Sequence, residues 1–354
     1  MSTQDSRLKI LYGVQATGQG HITRARVMAA ALQKENADVD FVFTGRPPED
    51  LYNIEIFGEF QTRRGLTFYF NNGKVSNLKT LFNNSARQLV KDIKDLDLKP
   101  YDLVITDYEP VTAWAAKLRG TPSIGIGHQY AFQHDIPVAG FNSLSRLGMK
   151  EFAPAQTGLG VHWHHFNQPI LPLIFEPPAR DKTIQKNKIV VYLNFEELED
   201  VTNLLEDFSE YDFYIYASAV KKPYEQAHLK FRPTSALFKQ DIEDCAGIIC
   251  GAGFELATEA LHMGKKLLVK PMEGQPEQLS NALALTKLGL GDAMYKLEKY
   301  AVSAWLQKPE GKRITYPDTA SAVVKWITEG RWNESSKLFH QIWQRVDGLE
   351  NMKP

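Results

Sequence analysis

The sequence predicts an α/β protein made of two Rossmann-like, doubly wound domains that face each other across a cleft. Length is the first observation, because 354 residues exceed what one hydrophobic core usually organises. The second is the alternation, in both halves, of short apolar runs with helix-length segments, which is typical of parallel strands covered by helices. The third is a proline-rich stretch, FNQPILPLIFEPPARDK at 166–182, which separates the two halves.

Individual elements follow from apolar runs bounded by glycine, proline or polar residues. In the first half, the predicted strands are 8–14, 39–45, 66–70, 101–107 and 122–128, and the predicted helices are 21–35, 77–96 and 110–120. In the second half, the predicted strands are 188–195, 213–218, 246–250 and 265–271, and the last helices are 319–330 and 334–346. We therefore expect an N-terminal domain at 1–167, a linker at 168–183 and a C-terminal domain at 184–330.

Composition narrows the function classes. The formal net charge of -1 does not indicate a nucleic-acid-binding surface. Cys245 and Cys250 have no partnering Cys/His set, so neither a zinc site nor a disulfide framework is expected, and a reducing cytoplasm is the expected location. No signal peptide and no apolar run near 18 residues is found, so no transmembrane span is expected. Peripheral contact with the inner face of a membrane stays open.

The turn after the first strand reads QATGQGHITR and places Gly18, Gly20 and His21 at the start of a helix. Glycines there let the backbone turn tightly and approach a ligand, and the helix start favours an anion. His21 is a candidate general base, and Asp107, which ends a later parallel strand, is the candidate carboxylate that orients it. The alternatives are a structural histidine in a tight turn and an aspartate that caps the following helix.

Three further residues are candidates to line the cleft. Glu109 follows the strand that ends at Asp107, although it also suits the first turn of the next helix. His128 and Gln129 end another strand, although a place in the core or in a loop is equally compatible with them. The stretch HWHH at 162–165 has no spaced carboxylate beside it, so no metal site is predicted.

A second polar cluster lies in CGAGFELATEALHMGKKLLVKPMEGQPEQLSNA, residues 250–282. A small-residue turn and an acidic helix follow one predicted strand, and a polar loop and a second helix follow the next. Since both segments lie at the carboxyl ends of adjacent strands, they should meet at one lip of the cleft. The candidate ligand-binding residues here are Gly251, Ala252, Gly253, Phe254, Glu255, Glu259, Gln275, Glu277 and Gln278.

These motifs resemble the donor-site signature of the two-domain, GT-B-fold glycosyltransferases that use nucleotide sugars. The shared pieces are the glycine turn, Glu259, EALHMG, LLVKP and EQLSNA, and the N-terminal TGQGH is similar to the histidine-bearing turn of the same enzymes. That superfamily includes the UDP-glycosyltransferases and the peptidoglycan-precursor N-acetylglucosaminyltransferase. The chain resembles a bacterial or archaeal branch of it.

The resemblance implies roles for these residues. Glu259 would accept hydrogen bonds from the nucleotide ribose hydroxyls, and Gly251, Ala252 and Gly253 would cradle the diphosphate with the following helix start. Glu277 and Gln278 would read hydroxyls of the transferred sugar, and Asn281 would support the loop. His21 and Asp107 take the positions of the base and its orienting acid. The resemblance also implies a segment at 331–354 that crosses back to the N-terminal domain.

The predicted activity is sugar transfer from a nucleotide sugar, expected to be UDP-linked, to an unidentified glycan, glycolipid or small-molecule hydroxyl in cell-envelope glycan chemistry. Inversion is expected, and neither a metal nor another cofactor is. Departures from the signature are glutamate at 277, where aspartate is usual, and Glu255 beside the diphosphate. The alternatives are a nucleotide-sugar 2-epimerase and a non-catalytic nucleotide-sugar-binding protein. A nicotinamide enzyme is disfavoured because no suitably spaced acid follows the second strand.

Overall fold

A computed structural model describes most of the chain as two α/β units joined by an extended segment. The described residues are 7–35, 37–66, 70–71, 74–75, 85–177, 182–233, 237–330, 332 and 335–349. Each unit is built on one twisted sheet whose strands are parallel apart from a single edge strand in the second unit. The α/β prediction with two doubly wound sheets is therefore confirmed.

The first sheet has the order β3-β2-β1-β6-β7-β8. Its strands are β1 Lys9–Gln15, β2 Asp38–Thr44, β3 Phe60–Arg63, β6 Leu103–Asp107, β7 Ser123–Gly127 and β8 Thr157–Gly160, and β4 Phe70–Asn71 pairs separately with β5 Lys74–Val75. Its helices are α1 Gln19–Lys34, α2 Ala86–Asp95, α3 Pro110–Arg119, α4 His128–Ala131 and α5 Ser143–Phe152. The central strands are apolar on both faces because helices cover both sides.

The second sheet has the order β11-β12-β10-β9-β13-β14-β15, with only β11 antiparallel. Its strands are β9 Gln185–Tyr192, β10 Asp212–Tyr216, β11 Tyr224–Gln226, β12 Leu229–Arg232, β13 Cys245–Gly251, β14 Lys266–Lys270 and β15 Asp292–Ala293. Its helices are α6 Leu198–Leu205, α7 Leu237–Asp244, α8 Phe254–Met263, α9 Pro276–Lys287 and α10 Lys299–Leu306. The chain then continues into α11 Thr319–Thr328 and α12 Ser335–Trp343.

Strand order changes direction once in each sheet. In the first sheet this switch lies between β1 and β6, and in the second it lies between β9 and β13. Helices leave the carboxyl ends of these strands to opposite sides, which opens a crevice where ligands of such folds bind. The two crevices face each other, because Arg24 of α1 contacts Glu255 of α8.

The predicted boundaries differ from the structure in two places. The third strand of the first sheet is Phe60–Arg63, while most of the predicted strand at 66–70 and residues 77–84 of the predicted helix lie outside the described residues. The crossover to the first unit begins before 331, because α11 already packs on α1. Its Ala320, Val323, Val324 and Ile327 form a buried stripe at helical spacing. Burial of each large aliphatic side chain stabilises this packing by about 1.5–3 kcal/mol.

The two units share one apolar core. A single cluster of buried side chains runs from Ile10 and Ile105 in the first sheet to Val190 and Ile248 in the second. Trp163 connects them directly, since its Nε1 donates to Thr258 Oγ1 of α8 at 2.9 Å. Among the described residues, no helix is long and apolar enough to cross a membrane.

Candidate active site

The first-unit crevice contains a histidine–aspartate pair. Val14 of β1 pairs with Asp107 of β6, so the last residue of β6 lies beside the turn that leads from β1 into α1. His21 lies in the first turn of α1, and its Nδ1 is 2.7 Å from Asp107 Oδ1. Since a carboxylate only accepts, the Nδ1 proton points to Asp107, and in a neutral imidazole Nε2 is then the nitrogen that can accept a proton. His21 is partly exposed, whereas Asp107 is fully buried.

Arg24 holds the other side of the same carboxylate. It lies one turn after His21 on α1, and its Nε donates to Asp107 Oδ2 at 2.9 Å while Nη2 donates to Oδ1. Burial alone would raise the pKa of Asp107, but the Arg24 charge and the hydrogen bonds from His21 and Arg24 outweigh it and lower the pKa. Asp107 is therefore an anion that keeps the imidazole in one orientation. The proposed capping role of Asp107 is wrong.

Glu109 caps α3 instead. Its carboxylate accepts from the backbone N–H groups of Val111 and Thr112 at 2.7 Å each, and from the hydroxyls of Thr112 and Thr44. Its side chain is 0% exposed, so the expectation that it lines the cleft is wrong. Pro110 at the first helical position explains this local choice, because a cap directly precedes such a proline. Burial raises the pKa of Glu109 despite these hydrogen bonds.

The second-unit crevice is formed by the glycine turn after β13. Gly251 ends the strand and Gly253 is the N-cap of α8, and among the described residues no side chain makes a capping hydrogen bond there. Phe254 and Ala252 are buried, so only their backbone groups are available to a ligand. A helix start with free N–H groups favours an anion. Nearby, Lys270 at the end of β14 pairs with Glu196 after β9 at 2.6 Å.

The polar loop after β14 is ordered largely by its own side chains. Gln275 caps α9 by accepting from the Gln278 backbone N–H, and Gln278 Oε1 accepts from the Met272 backbone N–H at 2.9 Å. Glu277 faces the first unit, where Gln129 Nε2 lies 3.3 Å from its Oε2. The structure therefore brings the loop residues to the lip of the cleft that was predicted for them.

His128 and Gln129 begin α4 at the boundary between the two units. His128 Nε2 lies 2.7 Å from Asn281 Oδ1, whose amide nitrogen donates to Ala252 O at 3.0 Å. The His128 ring also stacks on Phe254 with centroids 3.8 Å apart. Burial lowers the pKa of His128, although Glu277 and these hydrogen bonds act against it. Both residues are buried at this boundary, with His128 1% and Gln129 8% exposed.

Residues 8–146 and 167–309 match the family model described as glycosyl transferase family 1. The chain belongs to this family. A search of curated protein sequences finds no match.

Solved glycosyltransferase structures share the fold of this family 1 enzyme over nearly its full length. The kitacinnamycin glycotransferase has a TM-score of 0.63 at 11% identity, and covers 96% of this chain and 99% of its own. The spinosyn rhamnosyltransferase SpnG has 0.59 at 12%, covering 95% and 99%. SnogD from Streptomyces nogalater has 0.54 at 14%, covering 96% and 100%. The predicted GT-B fold and the predicted resemblance to nucleotide-sugar glycosyltransferases are confirmed.

The two crevices of this glycosyltransferase are joined by a charged contact. Arg24 Nη1 donates to Glu255 Oε1 at 3.2 Å, so one guanidinium holds Asp107 in the first unit and Glu255 in the second. A Cβ built on Gly20 would lie 2.2 Å from the Glu255 carboxyl carbon, so only glycine allows this approach. Arg24 and Asn281 were not among the predicted site residues, although Asn281 was expected to support the loop.

Glu259 lies more than one turn further along α8 than Glu255 and is half-buried. Burial raises its pKa to about 7, with Glu255 and Glu176 adding to the shift and Lys239 and Arg26 opposing it. Arg26, Glu176 and Lys239 also line a cavity of about 800 Å³ between α1, the interdomain segment and α11. Glu259 itself is not part of the lining of that cavity. A half-buried carboxylate with a raised pKa is typical of a ligand-binding site.

Proposed function

We propose that this glycosyltransferase moves a sugar from a nucleoside-diphosphate sugar to an acceptor hydroxyl, with inversion and without a metal ion. The observation that carries the proposal is the His21–Asp107 pair, which faces the free N-terminus of α8 across the cleft and is linked to it through Arg24 and Glu255. A base on one unit and an anion-binding helix start on the other are the two parts that such a transfer needs.

The donor binds mainly to the second unit. Its diphosphate lies at the turn Gly251–Gly253 and at the first N–H groups of α8, and Glu259 accepts hydrogen bonds from the ribose hydroxyls. Glu277 and Gln278 contact hydroxyls of the sugar, with Gln275 capping the helix that carries them.

The transfer step uses the first unit. The acceptor oxygen attacks the anomeric carbon, its proton passes to His21 Nε2, and the bond from the anomeric carbon to the phosphate oxygen breaks. Asp107, kept ionised by Arg24, stabilises the imidazolium that forms. The nucleoside diphosphate leaves with its charge stabilised by the α8 start and by Lys270. Attack from the side opposite the phosphate gives inversion.

We also propose that the donor carries a specific nucleobase. Uridine was predicted from the sequence, whereas one solved structure of SpnG is a complex with thymidine diphosphate. That complex describes the nucleotide bound by SpnG alone. Because of that complex, thymidine and uridine diphosphates should both be tested for binding to this protein.

Thermal unfolding with a panel of nucleoside diphosphates, in the presence of a metal chelator, tests the donor site. A ligand at 100 times its Kd stabilises the native state by about 2.7 kcal/mol, which is readily measured. We expect one nucleoside diphosphate to raise the unfolding temperature of the wild type. The same nucleotide should raise the unfolding temperature of Glu259→Gln far less. Stabilisation that disappears with the chelator would contradict metal independence, and no stabilisation by any nucleotide would contradict the donor site.

Two activity measurements distinguish transfer from its alternatives. Asp107→Asn should lower kcat by about 10²–10⁴-fold without changing nucleotide binding, because the base loses its orienting carboxylate. Incubation with the sugar nucleotide alone should leave the sugar configuration unchanged. Conversion of the sugar without an acceptor would favour the 2-epimerase, and binding without any turnover would favour a nucleotide-sugar-binding protein.

A further inference from the structure

A second cavity of about 280 Å³ opens in the first unit between α4, the following segment up to Phe141, and α5. Its apolar wall consists of Phe132, Val138, Phe141 and Met149. Its polar lining consists of Gln129, Gln133, Arg146 and Lys150. No acid belongs to this lining among the described residues, so the cavity combines an apolar body with positive charge.

The inner end of this cavity adjoins the catalytic centre. Gln129 lines the cavity, and its Nε2 lies 3.3 Å from Glu277 of the second unit. A Cβ built on Gly127 would lie 3.2 Å from Gln129 Oε1 and 3.4 Å from Arg24 Nη2, which places the Gln129 amide beside the guanidinium that holds Asp107. Gln129 is only 8% exposed, and its Oε1 is buried without a hydrogen-bond partner. A buried carbonyl oxygen in this state is costly unless a ligand supplies a donor.

The outer end of the cavity is built by α5. Arg146 and Lys150 are four residues apart, so they lie on one face of the helix together with Met149. Neither cation has an ion-pair partner among the described residues, and the Arg146 guanidinium lies 5.8 Å above the Phe141 ring. The helix is fixed at both ends, by a capping box from Asn142 and by Tyr108, whose hydroxyl donates to Met149 O at 2.8 Å.

We propose that this cavity is the acceptor site and that it takes a compound with an apolar body, an anionic group at one end and the reacting hydroxyl at the other. The anion pairs with Arg146 and Lys150, the body contacts Phe132, Val138, Phe141 and Met149, and the hydroxyl donates to Gln129 Oε1 near Arg24. The volume suits one aromatic ring or a short aliphatic chain rather than a sugar polymer. This inference rests on the proposed transferase function for the identity of the reacting hydroxyl, but the binding site itself is independent of it.

Pairs of small molecules test separately whether the cavity requires an apolar body and whether it requires an anionic group. Direct binding is measured by calorimetry, without a donor, for 4-hydroxycinnamate and its methyl ester and for 10-hydroxydecanoate and its methyl ester. The pair that binds identifies an aromatic or an aliphatic body. We expect the acid of that pair to bind about tenfold more tightly than its ester, because two partly exposed ion pairs each contribute about 0.2–1 kcal/mol.

Variants locate the site. The double substitution Arg146→Gln with Lys150→Gln should bring the affinities for acid and ester together, while Phe141→Ala should weaken both by about tenfold. Lys222→Gln, a change of an exposed lysine in the second unit, is the matched control and should leave both affinities unchanged. Equal binding of acid and ester to the wild type, an unchanged preference in the double variant, or no binding of any probe would overturn the proposal.

The two proposals fail in different ways. If a nucleoside diphosphate stabilises the protein but none of the probes binds, the acceptor inference is wrong and the transferase proposal stands. If the probes bind as expected but no nucleotide does, the cavity is a binding site for apolar anions and the transferase proposal is wrong. Thermal unfolding of each variant verifies that it is folded before binding is interpreted.

Discussion

Arg24 and Glu255 form an ion pair across the cleft, with 3.2 Å between Nη1 and Oε1. Arg24 is almost fully buried and also donates two hydrogen bonds to Asp107, whereas the Glu255 side chain is 38% exposed. The guanidinium therefore stabilises one buried acid inside its own domain and one partly exposed acid in the other domain. Orientation of the proposed base and closure of the cleft depend on the same side chain.

Replacement of Arg24 by glutamine should damage both stability and catalysis. Removing one partner of a buried ion pair costs about 3–5 kcal/mol, because the other charge stays buried without compensation. We expect the free energy of unfolding in urea to fall by that amount, and kcat to fall because the pKa of Asp107 is no longer lowered by the guanidinium. Arg119→Gln is the control, since Arg119 ends α3 on the surface and its guanidinium donates to the backbone carbonyls of Ala115, Ile93 and Lys94. Equal effects of both changes would contradict the role assigned to Arg24.

Glu255→Gln tests whether this residue contacts the donor or only Arg24. Its carboxylate lies in the first turn of α8, where a diphosphate is proposed to bind, so it repels that ligand electrostatically. We expect the neutral glutamine to tighten nucleoside diphosphate binding by about two- to fivefold, a change of about 0.3–1 kcal/mol. Isothermal calorimetry measures this, with Glu197→Gln at the start of α6 as the control. Weaker binding in Glu255→Gln would instead mean that the carboxylate accepts a hydrogen bond from the donor.

The sequence predicted the two sheets, and the positions of several candidate site residues on them, because periodicity and turn residues are local signals. His21, Asp107 and Gly253 each lie at the carboxyl end of a strand, and that position is readable from an apolar run followed by a polar turn. Glu109 was assigned wrongly, although the following proline was a signal that it caps α3.

Arg24 was missed for a physical reason. On α1 it resembles any basic residue of an amphipathic helix, and its partners Asp107 and Glu255 are 83 and 231 residues away along the chain. The spacing of three residues from His21 was the available signal, because it places both side chains on one helix face. The α5 helix was not predicted, and its apolar residues Leu144 and Leu147 are exposed rather than part of the core.

The carboxyl group of Glu259 should give nucleotide binding a measurable pH dependence. Its pKa is raised to about 7 by burial, and only the ionised form accepts from both ribose hydroxyls. We expect the affinity for the stabilising nucleoside diphosphate to fall by about tenfold between pH 8 and pH 6, since one unit below the pKa most sites are protonated. Glu259→Gln should bind the nucleoside diphosphate more weakly than the wild type, and its affinity should not fall in this way between pH 8 and pH 6. An identical pH profile in both proteins would assign the titration to the nucleotide phosphate instead.

The same group should affect stability in the opposite direction to a typical carboxylate. In the unfolded chain a glutamate titrates near 4.5, and in the native state it keeps its proton until about 7. The unfolded state therefore loses the proton first as pH rises, so the free energy of unfolding should fall between pH 4.5 and 7 and be constant above. Urea unfolding of wild type and Glu259→Gln measures the difference, which should favour glutamine above pH 7. A wild type that gains stability relative to Glu259→Gln over this range would contradict the raised pKa.

Gly20→Ala should lower the activity of the enzyme while leaving its free energy of unfolding nearly unchanged. A Cβ at this position would lie 2.2 Å from the carboxyl carbon of Glu255, so the Glu255 carboxylate must swing away from α1 and its contact with Arg24 is lost. Within a helix, alanine is favoured over glycine by about 1 kcal/mol, so we expect the free energy of unfolding to stay within that margin of the wild type. The value of kcat/KM should nevertheless fall by about tenfold, because the Arg24–Glu255 contact that joins the two domains is lost.

Gly18→Ala is the matched control for this displacement. Gly18 is the N-cap of α1, with extended backbone angles that alanine also adopts. The nearest atom to its built Cβ is His21 Cδ2 at 3.7 Å, an ordinary contact. We expect this variant to keep kcat/KM within about threefold of the wild type, since the loss of a glycine cap costs only about 1 kcal/mol of helix stability. Full activity in Gly20→Ala would mean that Glu255 swings aside while α8 stays in place, and the contact with Arg24 would then be dispensable for catalysis.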